Sequence, residues 1–266
     1  MSAKETNERL IPAATILLVR DAPGLEVLMV QRHHQIDFVP GALVFPGGKT
    51  APGDSEAAWA GHCDGFDLEH RALRICAIRE AFEESGVLLA RPAGARGVGA
   101  ALAPADATAR IAGMREAVDK GAAQFLDVVR GAELVLALDA LTPFAHWITP
   151  QGLPKRFDTW FYIADAPADQ VAACDGREAV DACWIAPATA LADAAADRRK
   201  IIFPTRLNVE LLAKSATAGA AIAAARTRKI VTVEPKIVKE PEGMVLTIPA
   251  EAGYSVTREP MGSMTP

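Results

Sequence analysis

Apolar residues run or alternate at Ile11–Val19, Glu26–Gln31, Ala42–Phe45, Ala145–Thr149 and Asp158–Ile163, each run bounded by Gly, Pro or charge. Short runs of this kind predict strands. Between the third and fourth, the spacing over Leu68–Ser85 predicts a helix, and Pro187–Arg198 and Thr205–Ser215 predict two more. Residues 90–140, rich in Ala, Gly and Asp, read as a helical insertion, with amphipathic stretches at Asp106–Val118 and Ala122–Val129. Beyond Thr217 the pattern gives a small Ala-rich helix, then a hairpin built from Lys229–Glu234 and Met244–Ile248. The alternation predicts an α/β fold with a mixed sheet covered by helices on both faces. Residues 1–215 read as one domain and 216–266 as a C-terminal extension packed on it.

The segment AIREAFEESGVLL, residues 77–89, carries the strongest chemical signal. On a helix Glu80, Glu83 and Glu84 share one face, and Glu80 and Glu84 are like charges one turn apart. Such a pair costs an exposed helix about 0.2–0.5 kcal/mol. Clustered carboxylate oxygens suit Mg²⁺ or Mn²⁺, hard cations that also hold phosphate oxygens. Arg79, four residues before Glu83, is placed to brace that carboxylate, and Gly86 is placed to end the helix. For an isolated EAFEE the plainer reading is a solvated acidic face, so the residues upstream matter.

Upstream, FVPGALVFPGG (residues 38–48) breaks from a strand-like run into Pro46-Gly47-Gly48, where missing side chains let the backbone approach a ligand. Gly48, Arg79, Glu80, Glu83, Glu84 and Gly86, with aliphatic Ala81 and Val87 between and after them, resemble the signature of the Nudix hydrolase family. After five intervening residues (49–53), the acid beyond Gly48 is Asp54, where the family has Glu. From Asp54 to Arg79 there are 24 intervening residues (55–78) instead of the family's seven, so about 17 are inserted, roughly Ser55–Glu69. This insert is expected to bulge outward and leave the carboxylates assembled. His62 and Cys63 within it have no partner at zinc-site spacing, so they read as loop residues. An interrupted box is similar to the branch that includes peroxisomal coenzyme A diphosphatases, as are HHQIDFVPGALVFPGG, WITPQGLPKRFDTWFYIAD and FPTRLNVELL.

The resemblance implies an α/β/α sandwich in which the box forms loop–helix–loop, and an Mg²⁺- or Mn²⁺-dependent diphosphatase. It implies Glu80, Glu83 and Glu84 as metal ligands helped by the Gly47 carbonyl, with Arg79 orienting a carboxylate. The general base comes from the box or from a later acid, for which Glu178 is the candidate and Asp181 the alternative. Gly48, Arg32 and Arg156 are candidates for substrate contact, Arg156 as a phosphate fork beside Lys155; an ion pair is the rival reading for Arg156. Trp160 and Phe161 alternate on a strand, one for the core and one open to stacking on a base; Trp147 and Trp184 read as core. Coenzyme A or acyl-coenzyme A leads as substrate, with ADP-ribose or a dinucleotide next. An inactive binding module on the same fold is the alternative from another class.

Composition narrows the partners. The 266 residues carry a net charge of −5 and are 50% hydrophobic and 23% charged. The first figure argues against nucleic acid or an anionic membrane reached by bulk electrostatics. A small-molecule nucleotide is the expected partner, with a homodimer left open. Four cysteines need no disulfide framework. The charged N-terminus does not read as a signal or membrane span, and the chain ends MGSMTP without a Ser-Lys-Leu address, so a cytoplasmic location is expected.

Overall fold

The computed structural model describes residues 9–32, 41–174 and 179–261. Strands β1 (Leu10–Asp21) and β2 (Leu25–Arg32) form an antiparallel hairpin; β3 (Leu43–Val44) pairs with β2, and β4 (Gly47–Lys49) with β1. Next come β5 (Cys63–Asp64), helix α1 (Arg71–Ser85) and β6 (Ala90–Pro92). Short helices α2 (Ala105–Ala109), α3 (Arg115–Asp119) and α4 (Phe125–Gly131) precede β7 (Leu134–Ala137), β8 (Thr142–Ile148) and β9 (Arg156–Asp165). Strand β10 (Ala179–Ile185), which the apolar runs do not single out, leads into α5 (Pro187–Ala195), α6 (Phe203–Leu212) and α7 (Ala218–Thr227). The remainder is β11 (Thr232–Val233), β12 (Lys236–Glu240), β13 (Gly243–Thr247) and β14 (Arg258–Pro260).

The main sheet runs β10-β2-β1-β9-β8-β11. β1 lies parallel to β9 and β8 parallel to β11, while the other pairs are antiparallel, so the predicted mixed sheet is present. Alternation along β1 and β9 builds two cores. Ala14, Ile16, Leu18, Tyr162 and Ala164 face α1, whereas Leu17, Val19, Phe161 and Ile163 face α6 and α7. Burying one Leu, Ile or Phe side chain in either layer contributes about 1.5–3 kcal/mol.

Three expectations change. Residues 55–69 do not simply bulge outward: 55–58, 60–61 and 67–69 are exposed, but 59, 63 and 64 turn inward. Trp59 is fully buried with its ring 5.7 Å from that of Phe125, and its Nε1–H donates to the Gly53 carbonyl. Cys63–Asp64 joins a second sheet, β5-β7-β6, and the Asp64 carboxylate accepts from Arg91, Arg96 and the Gly97 amide. An aromatic of that size is worth more inside the core than in a solvated loop, so the insert folds in. The 90–140 stretch is less helical than expected: Gly113 and Gly121 separate its pieces, and its ends are strands of the second sheet. In the tail, Lys229–Glu234 supplies only β11. The hairpin is β12 with β13, because Pro235 lacks an amide hydrogen and ends the first run while Pro241 starts the turn. The extension packs on the domain through Tyr254, whose hydroxyl donates to Asn208 and accepts from the Trp147 indole.

Candidate active site

Helix α1 is buried from Arg74 to Ser85, and its last turn closes at Gly86 in the left-handed region (φ 76°), where its amide reaches the Phe82 carbonyl. The acidic residues therefore do not form a solvated face. Glu80, Glu83 and Glu84 are 9%, 6% and 7% exposed.

Arg79 is the hub. Its guanidinium donates to both oxygens of Asp54 (2.9 and 3.0 Å), to Glu80 (2.8 Å), to both oxygens of Glu83 (3.0 and 3.2 Å) and to the Lys49 carbonyl (3.0 Å). Burial opposes the charge, but Asp54 and Glu80 outweigh it and hold the guanidinium protonated. The shorter acid reaches Arg79 because a 3₁₀ turn over Pro52–Ser55 carries Asp54 inward, and the Ala51 amide steadies its other side. The glycines set the spacing. A Cβ on Gly48 would sit 2.6 Å from the Glu80 carboxylate, and the Gly47 amide donates to Glu84 at 3.1 Å.

Four carboxylates against one guanidinium leave a formal excess of three negative charges in a mostly dry pocket. Burial first, and the Glu80 charge second, push the Glu83 carboxyl up to about 8 against the pull of Arg79. Hard oxygen donors with surplus charge fit a divalent cation in chemical type. Among the described residues, however, no three His, Cys, Asp or Glu side chains stand in metal-binding arrangement; Glu80 and Glu83 both turn to the same Arg79 nitrogen, and Glu84 to the Gly47 amide.

Asp54, Glu80 and Glu83, but not Glu84, line a cleft of about 1780 Å³ that is also lined by Gly47, Gly48, Lys49 and Gln124. Arg32, at the end of β2, lines it too, with an Nε that is buried and has no partner among the described residues. Arg156 does not line this cleft. Its guanidinium donates to the Thr149 carbonyl and to Glu234 (2.5 Å), which makes it the ion pair that was the rival reading. Lys155 is exposed on the loop beside it. Glu178 lies outside the described residues, and Asp181 is exposed on β10, off the cleft. Trp160 is held between the His70 and His146 rings (4.3 and 4.4 Å), while Phe161 borders the cleft. Trp147 is buried, and Trp184 is partly buried under Arg20. The four cysteines are free thiols. No helix among the described residues is long and apolar enough to cross a membrane.

One contributor had no signal in the sequence. Arg115 of α3 donates Nε and Nη2 to the Glu83 carbonyl (3.1 and 2.9 Å), so the insertion caps the last turn of α1. It stands 32 residues from Glu83, and only the fold brings them together.

Comparison with known proteins decides the family. The model of the NUDT19 Nudix domain matches residues 67–207, more than half of the chain. The chain belongs to the Nudix family. Among relatives, the human acyl-coenzyme A diphosphatase NUDT19 is 30% identical over 210 residues, covering 64% of this chain and 55% of that protein. Its counterpart from Xenopus laevis is 28% identical over 207 residues, covering 63% and 54%. This Nudix chain thus spans about half the length of the curated relatives it matches. The crystal structure of a Nudix hydrolase from Alicyclobacillus acidocaldarius superposes with a TM-score of 0.66 at 26% identity, over 85% of this chain and all of that one.

Proposed function

We propose that this Nudix chain is an Mg²⁺- or Mn²⁺-dependent diphosphatase acting on coenzyme A or acyl-coenzyme A, releasing adenosine 3′,5′-bisphosphate and the (acyl-)phosphopantetheine. The observation that carries the diphosphatase reading is the set of buried carboxylates around Arg79 opening into one cleft. The coenzyme A reading rests on the relatives named acyl-coenzyme A diphosphatase.

Glu80, Glu83 and Glu84 are the residues to hold the cation. When bound, it supplies charge neutralisation on the diphosphate oxygens and a more acidic water. Arg79 and Asp54 orient Glu80 and Glu83, and Gly48 leaves the space that the Glu80 carboxylate fills. Arg32 is the candidate to meet a phosphate, because it lines the cleft and its Nε has no partner among the described residues. Water adds to one phosphorus, the bridging P–O bond breaks, and an acid–base side chain takes the water's proton; Glu178 stays the candidate. An intact Arg79–Asp54 contact favours catalysis over an inactive binding module, since substituting Asp for Glu has not cost the hub its partner.

The test is to incubate the purified chain with Mg²⁺ or Mn²⁺ and coenzyme A, acyl-coenzyme A, ADP-ribose or a dinucleotide. Metal-dependent release of adenosine 3′,5′-bisphosphate supports the reading. Cleavage of ADP-ribose or the dinucleotide alone overturns the substrate, and no cleavage of any of them overturns the activity.

A further inference from the structure

We infer that the apolar wall of the same cleft is a binding site for the acyl chain of the substrate, and that the C-terminal extension builds much of it. This rests on the coenzyme A reading above and goes beyond it by naming what distinguishes an acylated from a free thiol substrate.

Three separate segments bring apolar side chains to the cleft. Leu153 and Phe157 come from the loop before β9 and its first turn of strand, Ile201 and Ile202 from the approach to α6, and Ile237 and Met261 from the extension. Leu153 is 37% exposed, and the other five are half-buried. Beneath them Leu246 and Phe203 are buried and also border the cleft. Partly wetted apolar side chains converging from distant parts of a chain leave apolar area that a ligand can dehydrate.

The occupant follows from what shares the cleft. The carboxylates around Arg79 and the apolar wall line one continuous space of about 1780 Å³. Pockets for compact ligands are roughly 300–1,000 Å³, so this one suits a long substrate. A substrate held at its diphosphate by the carboxylate end, and carrying a flexible arm with an apolar tail, would use both parts. Free coenzyme A ends in a thiol and would leave the wall wet. The family model stops at residue 207, whereas Ile237, Leu246 and Met261 lie beyond it, so part of this wall comes from outside the matched segment.

The experiment measures kcat/KM of the full chain with Mn²⁺ for coenzyme A and for its acetyl, hexanoyl and decanoyl thioesters. A methylene moved fully out of water is worth about 0.8 kcal/mol, about fourfold. With a half-open wall, decanoyl should exceed acetyl by about tenfold or more. Ile237→Asp, and separately Leu153→Asp on the exposed loop, should remove most of that gain while the value for coenzyme A stays within about twofold. A series flat with chain length overturns the inference, as does an equal loss for coenzyme A and the decanoyl thioester in a folded variant. If neither compound is cleaved but ADP-ribose is, the coenzyme A reading falls, and calorimetric binding decides the wall. Tighter binding of the decanoyl thioester than of coenzyme A upholds it, and equal Kd values overturn it.

Discussion

Replacing Asp54 by Ala tests whether Arg79 is the hub of the site. Asp54 is 1% exposed and accepts three hydrogen bonds, two from Arg79 and one from the Ala51 amide. Removing one partner of a buried ion pair commonly costs about 3–5 kcal/mol, because a charge is left uncompensated. Here Arg79 keeps Glu80 and Glu83, and its Nη2 keeps the Lys49 carbonyl, so the Coulomb loss is small. What remains is two donors without acceptors, the buried Arg79 Nε and the partly buried Ala51 amide, at about 1–3 kcal/mol each. The expected loss is therefore about 2–4 kcal/mol, at the lower end of what two orphaned donors allow. At roughly 2–4 °C per kcal/mol for a domain near this size, Tm should fall by roughly 4–16 °C. Asp54→Asn retains an acceptor oxygen and should lose less. Diphosphate turnover should fall more than stability does, because the freed Arg79 would draw Glu80 and Glu83 to itself. Thermal and urea unfolding with parallel turnover assays check this. An Ala variant within 1 kcal/mol of wild type, or an Asn variant no better than Ala, refutes the reasoning.

Glu84→Gln keeps size and the acceptor for the Gly47 amide but removes a charge, so metal-dependent turnover should drop by orders of magnitude with the fold intact; near-normal rates would take Glu84 out of the mechanism. Gly48→Ala should cut turnover as severely, because its methyl would lie 2.6 Å from the Glu80 carboxylate, a displacement visible in a crystal structure of the variant. Deleting residues 55–69 should unfold the chain or lower Tm by 10 °C or more on calorimetry, since Trp59 leaves the core and Phe/Trp-to-Ala losses alone run to about 3–5 kcal/mol. In metal-free protein the Glu83 carboxyl, raised to about 8, holds a proton that the unfolded chain gives up from about pH 4.5 upward. Unfolding free energy should therefore fall as pH rises from about 4.5 to 8, and Glu83→Gln should flatten that slope; a wild-type profile that rises over this window contradicts the sign.

What the sequence disclosed and what it hid follow from the range of the forces involved. The strands at Ile11–Val19 and Asp158–Ile163 were legible because their alternation is local and both faces meet a core. Helix α1 was legible from three carboxylates and a closing glycine, all within a few residues of one another. Its burial was not, because the cover comes from elsewhere: Asp54 from an upstream 3₁₀ turn, Arg115 from a downstream helix, Gly47 and Gly48 from β4. The two- to four-residue strands of the second sheet are too short to carry a period, so Cys63 read as loop although it is core. Arg156 shows the same limit for charge. Its spacing offered a phosphate fork, and only the fold supplies Glu234, 78 residues away, as the partner that takes it. Arg32 is the converse case, a cleft-lining cation at a strand end whose buried Nε has no partner among the described residues. A buried guanidinium nitrogen without an acceptor costs about 1–3 kcal/mol, and an anionic ligand is what would repay it. That makes Arg32 a better candidate than Arg156 for the phosphate contact proposed above.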